Sequence, residues 1–177
     1  MDRNPLDVYL KLFATKTTSR TESDVQANIA AFLTFAEIGL DVSQVSKTEE
    51  QLGDGTQRRI DIAYGKLVIE VKKDLAMGKT VEKTESQLFG YLDSRERVDG
   101  IAYAGIITDG RLWLLYSRTG ELLQRVDSYS VAPDSADASE RLAQWLQTIL
   151  LTGERLRVTP ERIIEKLGTE SPRYKLH

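Results

Sequence analysis

Apolar and polar residues alternate along 58–73, RRIDIAYGKLVIEVKK, on both sides of Gly65-Lys66. Alternation of this kind marks a half-buried strand, and a glycine at the first central position suits a tight type II′ turn, so the segment predicts a β-hairpin. With those two residues as the turn, Tyr64 pairs with Leu67, Ala63 with Val68, Ile62 with Ile69 and Asp61 with Glu70. One face then carries Ile60, Ile62, Tyr64, Leu67, Ile69 and Val71, and the other Arg59, Asp61, Glu70 and Lys72. Like charges opposite each other weaken a ladder. Two acids so placed call for a cation between them, and a divalent metal is the best candidate.

Helical spacing dominates on either side of the hairpin. Over 21–38, Val25, Ile29, Phe32, Leu33 and Ala36 recur on one face, Thr21 or Ser23 can cap the start, Glu22 and Asp24 suit the first turn, and Gly39 ends the helix. A second helix is predicted over 80–95, with Val81, Leu88 and Leu92 on its buried stripe and Gln87 and Tyr91 side by side at i, i+4. The continuous apolar run 101–108 predicts a strand buried on both faces. Asp109-Gly110 is a turn signal, and 111–117, RLWLLYS, returns as its partner. An edge strand at 122–129, a loop at 131–135 and a helix over 136–151 with Leu142, Leu146, Ile149 and Leu150 inward complete the pattern. Thr159-Pro160-Glu161 has helix-start chemistry.

An Asp in one strand followed by Glu-x-Lys in the next, here Asp61 with Glu70, Val71 and Lys72, resembles the catalytic hairpin of the PD-(D/E)xK nuclease superfamily. Ile60 stands where that pattern has Pro. Gln87-x3-Tyr91 after Glu-x-Lys is similar to a motif of some nuclease branches. The stretch GIITDGRLWLLY and the final PERIIEKLGTESPRYKLH resemble the segments C-terminal to the nuclease motif in type IIG and type I single-polypeptide restriction-modification enzymes. The resemblance covers most of residues 20–174.

The resemblance implies an α/β fold, a restriction-endonuclease-like mixed central β-sheet flanked by helices. It implies a nuclease domain over 1–155 and the start of a helical connector over 156–177. The activity implied is Mg²⁺-dependent hydrolysis of DNA phosphodiesters, with Mn²⁺ as an alternative metal. Asp61 and Glu70 would bind the metal with the Val71 carbonyl as a further oxygen, Lys72 would orient the attacking water or offset negative charge, Glu22 would be an auxiliary acid with Asp24 second, and Gln87 would position catalytic groups or the DNA backbone. The implied partners are double-stranded DNA and methyltransferase and target-recognition domains on the same polypeptide. Blander alternatives accompany each motif: an amphipathic hairpin with a solvated charged face, acids that only complement a helix dipole, and a helix surface at Gln87 and Tyr91. Asp109 reads as a turn residue, and Trp113 and Tyr116 as sheet packing. A nuclease fold that binds DNA or a partner without cutting is the rival function, and an RNA nuclease a second.

Composition narrows the classes. The 177 residues suit one domain, able to bury roughly 70% of its unfolded surface. With no cysteine there are no disulfides, thiolate zinc sites or cysteine nucleophiles, and the single histidine, His177, leaves no Ser-His-Asp triad. No phosphate loop, dinucleotide fingerprint, signal peptide or membrane-length apolar run is present, which predicts a cytoplasmic protein. Lys and Arg total 24 against 27 acids, a net charge of −3, whereas an autonomous DNA binder is usually basic. Basic residues nevertheless gather near the motif at Arg58, Arg59, Lys66, Lys72, Lys73, Lys79 and Lys83. This balance predicts divided labour, with another domain recruiting the DNA.

Overall fold

The hairpin forms where the alternation places it. In the computed structural model, which describes residues 5–14, 20–36, 47–51, 59–75, 78–132, 135 and 137–155, strands β2 (Arg59–Tyr64) and β3 (Leu67–Val71) pair antiparallel as Tyr64↔Leu67, Ala63↔Val68 and Ile62↔Ile69. Gly65 has φ 58°, as the first residue of such a turn requires. Ahead of the hairpin come α1 (Asp7–Ala14), α2 (Glu22–Phe35) and β1 (Lys47–Gln51); after it come α3 (Gly78–Asp99), β4 (Ala104–Thr108), β5 (Leu112–Thr119), β6 (Leu122–Ser130) and α4 (Ala138–Arg155). The six described strands lie in the order β1-β2-β3-β4-β5-β6. Among them only β3 and β4 run parallel. A parallel neighbour needs a long crossover, and α3 supplies it. The chain is therefore an α/β protein with a mixed sheet and flanking helices.

The sheet has two covered faces because β3 and β4 carry apolar residues on both sides. Ile62, Leu67, Ile69 and Val71 join Ile106, Trp113 and Leu115 beneath residues of α1, α2 and α4. Val68, Ile107, Leu114 and Tyr116 pack with Leu88, Tyr91 and Leu92 of α3 on the other side. Every residue of β3 and β4 is buried. Gly105 of β4 lets α3 approach closely, since a Cβ there would stand 2.8 Å from the Leu88 side chain. Trp113 and Tyr116 are buried packing residues, as predicted, and Leu142, Leu146, Ile149 and Leu150 of α4 all face inward.

Element ends shift from the sequence pattern for local reasons. Helix α2 starts after Thr21, which forms a reciprocal capping box with Asp24, and its described part ends at the cap Ala36. Helix α3 is longer than predicted at both ends, and β4 begins at Ala104 because Ile101 and Ala102 remain exposed. Helix α1 and strand β1 are additions to the predicted elements. In α1, Leu6, Leu10 and Phe13 are buried with helical spacing, over a span too short to stand out in sequence. The edge strand β6 is present, with a register shift against β5 between Leu115 and Tyr116 that puts Val126 and Asp127 on the α4 side. A bulge on an edge discourages pairing with another strand. Arg58, Gly39 and the connector at 156–177 lie outside the described residues, as do the side chains of Arg59, Ile60, Tyr64 and Lys79. Among the described residues no helix is long and apolar enough to cross a membrane.

Turn β4–β5 locks three segments together. The buried Asp109 carboxylate accepts from the main-chain N–H groups of Arg111 (2.9 Å), Leu112 (2.9 Å) and Leu75 (3.1 Å), and from the Arg111 guanidinium. Its carbonyl accepts from Arg20 Nη2 at 2.6 Å, while Arg20 Nη1 reaches the carbonyls of Leu12 and Phe13. Gly110 has φ 86°, and a Cβ there would lie 2.9 Å from the Phe13 ring; Gly120 has φ 60° with open space. Both glycines carry the left-handed penalty of about 1–2 kcal/mol, but only Gly110 adds a clash costing about 1–3 kcal/mol. Gly110→Ala is therefore expected to destabilise clearly more than Gly120→Ala in urea unfolding, and equal midpoints would show that Phe13 does not pack against the turn.

Candidate active site

Strand β3 ends in the Glu-x-Lys sequence, and pairing on both sides fixes where it points. The parallel register sets Glu70 against Ile107 and Val71 against Thr108, and the Lys72 N–H donates to the Thr108 carbonyl at 2.8 Å. Glu70 thus sits on the α3 side of the sheet at 1% exposure. This differs from a solvated charged face: α3 covers it. Lys72 is mostly buried too, and its Nζ donates to Glu70 Oε1 at 2.7 Å. The second oxygen, Glu70 Oε2, is buried and has no hydrogen-bond partner among the described residues.

Asp61 reaches the same strand end through its side chain: Asp61 Oδ2 accepts from the Val71 N–H at 2.8 Å. Its charge nonetheless acts on Glu70. Burial pushes the Glu70 carboxyl up to about 7, Asp61 and then Glu22 add to the rise, and Lys72 opposes it. For Lys72, burial works to lower the ammonium, but the hydrogen bond and charge of Glu70, with Glu22 and Asp61, outweigh it and the pKa is raised. A buried acid near its midpoint at neutral pH, beside a second acid, is a common mark of a functional site.

The flanking helices complete the cluster. Glu22, at the first position of α2, is half-exposed with Oε1 3.5 Å from Lys72 Nζ. Asp24 instead gives its carboxylate to Thr21, at 2.7 Å from the N–H and 2.8 Å from the hydroxyl, so of the two predicted acids only Glu22 meets the site. On α3, Gln87 Nε2 donates to the Tyr91 hydroxyl at 2.6 Å. Burial raises the Tyr91 pKa, and the charges of Glu70 and Asp61 raise it further. Tyr91 therefore lies within the field of the acids, and Gln87 joins the site through it. Gln26, one turn beyond Glu22, was not singled out by sequence although its i+4 spacing carries the signal; its Nε2 donates to the Asp61 carbonyl at 2.7 Å. Lys66, in the hairpin turn, is separated from Lys72 by about 20 Å of strand and does not line the site.

Two buried carboxylates lie at the ends of adjacent strands, and their surroundings differ. Asp109, at 2% exposure, is saturated by the donors of its turn, which is what a structural acid needs. Glu70 has Lys72 on one oxygen and an unsatisfied second oxygen, so it is open to a hard cation. Among the described residues no group of three or more His, Cys, Asp or Glu is gathered as a metal site. Asp61 and Glu70 therefore need a main-chain oxygen, such as that of Val71, or water to complete a coordination shell. No family model, curated protein or solved structure matches this chain.

The shifted carboxyl predicts how stability varies with pH. Glu70 holds its proton in the folded protein up to about pH 7, whereas in the unfolded chain it releases it near its ordinary value. This contribution to stability is complete below the unfolded pKa and is lost as pH rises through 7, on the order of 3 kcal/mol for a shift of this size. Asp61→Asn keeps an oxygen for the Val71 N–H but removes the charge. Urea unfolding at pH 5 and pH 8 is expected to show a smaller loss in Asp61→Asn than in the parent, and identical losses would separate the two acids electrostatically.

Proposed function

We propose that this chain is the metal-dependent DNA endonuclease domain of a bacterial or archaeal restriction-modification enzyme, with a restriction-endonuclease-like fold of the PD-(D/E)xK type. The observation that carries this reading is Glu70 Oε2: a carboxylate oxygen buried at the end of β3 with no donor among the described residues, beside the charge of Asp61. Leaving a polar atom unsatisfied in the interior costs about 1–3 kcal/mol, and a ligand is the usual reason to retain it. Asp61, Glu70 and the Val71 carbonyl would hold Mg²⁺ or Mn²⁺, hard cations that favour oxygen donors. Such an ion supplies a water of lowered pKa and charge neutralisation at the phosphate.

In phosphodiester hydrolysis a water oxygen bonds to phosphorus as the opposite ester bond breaks, and the leaving oxygen takes up a proton. Negative charge builds on the phosphoryl oxygens, and a fixed ammonium in a dry setting stabilises it well. Lys72 is such a group. Glu70 and Glu22 hold its Nζ in place, and its raised pKa keeps it charged. Glu22 is the most exposed of the site's acids and would be the first of them to meet substrate and water. Gln87 braces the Tyr91 hydroxyl at the α3 wall of the site. The acidic net charge and the few exposed cations nearby, Lys73 and Lys83, favour weak backbone binding by this chain alone. Methyltransferase and target-recognition domains on the same polypeptide would then recruit the double-stranded DNA.

Incubation with plasmid DNA and Mg²⁺ or Mn²⁺ at low salt should yield slow, sequence-indiscriminate cutting that falls steeply as salt rises. Lys72→Ala is expected to lose cutting by about 10²-fold or more while calorimetry still detects Mn²⁺; Gln87→Ala should lose only part of it. Intact plasmid in the presence of bound Mn²⁺ would overturn the proposal in favour of a non-cutting nuclease fold. Cleavage of RNA with DNA spared would replace the substrate.

A further inference from the structure

Asp109 does more than its turn asks of it. One oxygen, Oδ1, takes the Arg111 and Leu112 N–H groups at 2.9 Å each, the pattern by which Asp or Asn closes a tight turn. The turn has further bonds of its own: the Gly110 N–H donates to Thr108 Oγ1 at 2.9 Å, and Trp113 Nε1 donates to the Gly110 carbonyl at 3.0 Å. An asparagine would serve all of these. The second oxygen, Oδ2, reaches the Leu75 N–H at 3.1 Å, 34 residues away, and takes Arg111 Nη2 at 3.2 Å. The same guanidinium nitrogen pairs with Asp74 at 3.2 Å. Burying a carboxylate is costly, and what it adds over an amide here is the hold on the chain leaving β3.

That segment begins with Lys72. The β3–β4 ladder ends at Val71↔Thr108, and the Lys72 N–H donates to the Thr108 carbonyl at 2.8 Å. Residues 72–75 lie in neither helix nor strand, so beyond Lys72 the turn supplies what the ladder no longer does. Leu75 is buried in the cluster that holds Leu88 and Tyr91 on the α3 side, the side on which Lys72 Nζ meets Glu70. A lysine stem is long and rich in rotamers, and play in the main chain beneath it passes directly to the ammonium.

We propose that Asp109 is a positioning residue for Lys72: by holding the Leu75 N–H through Oδ2 it fixes the strand exit that carries Lys72 and so keeps the ammonium at Glu70. The consequence for catalysis rests on the function proposed above; the placement of Lys72 does not. For a group that acts in the transition state, a misplacement of about 1 Å can cost up to about 10²-fold in rate.

In the parent chain the Leu75 amide should exchange as slowly as the amides of β4, although it lies outside helix and strand; fast exchange there would overturn the tie before any substitution is made. Asp109→Asn keeps an oxygen for the turn but sets an NH₂ group against the Leu75 N–H. Leu75 exchange should then accelerate about tenfold beyond that of the core amide Leu115, with the turn amide Leu112 following Leu115. Acylation of Lys72, read by mass spectrometry against exposed Lys83, should rise by a similar factor. Equal acceleration at Leu75 and Leu115, or unchanged labelling of Lys72, would overturn the positioning role. In plasmid cutting, Asp109→Asn is expected to lose about tenfold at unchanged Mn²⁺ affinity. In the Lys72→Ala background it should lose nothing further, because residues that act through one group are not additive; a full further loss there would overturn the role as well. A parent that leaves DNA intact, with Leu75 and Lys72 behaving as stated, would keep the positioning and sink the nuclease reading alone.

Discussion

The arrangement of this protein turns on one buried charge problem, Glu70 at the end of a central strand. Burial and the neighbouring Asp61 both disfavour its ionised form, and Lys72 answers them at hydrogen-bond distance. Coulombic attraction in a dry interior is strong, but so is the desolvation it must offset. The result is a carboxyl poised near neutrality with one oxygen unserved, able to accept a cation or a proton as conditions decide.

Much of the surrounding structure keeps that carboxyl where it is. Helix α3 covers its face, packed close on β4 where Gly105 faces Leu88. The Lys72 N–H is held by Thr108, and Asp109 holds the Leu75 N–H, so the chain leaving β3 is gripped on both sides of Lys73 and Asp74. Arg20 binds the same turn and the end of α1, just before α2 begins at Glu22. The acids thus converge from α2, β2 and β3, elements held in place by hydrogen bonds to main-chain groups and by packing. Three acids near one lysine would drift apart without such a frame.

Charge is distributed unevenly between this site and the rest of the molecule. Elsewhere the prominent polar contacts join one helix to the sheet: Arg118 joins Asp93 and Glu96 while stacking over Phe89, and Tyr116 donates to Glu85. These clamp α3 to β5 and leave little for a ligand. Glu70 differs in kind: among the described residues its Oε2 is the one buried carboxylate oxygen without a hydrogen-bond partner.

The hydrophobic pattern alone determined the hairpin and its turn, the two-sided burial of 104–108, the Asp109-Gly110 turn and the inward faces of α2, α3 and α4, because strand and helix periods state which way each side chain points. It also paired Asp61, Glu70 and Lys72 on one edge of the hairpin. Periodicity carries no information about depth, and whether a polar face meets water or another element depends on chain segments far away in sequence. So the burial of Glu70 under α3, and with it the raised pKa and the unserved oxygen, were decided only by tertiary structure. That Glu22 and not Asp24 lies beside Lys72 was decided there too, since the capping bond occupies Asp24. The same holds for Gln26, whose partner is a main-chain carbonyl 35 residues away: a helix face shows in the sequence, but the main-chain group that it meets does not.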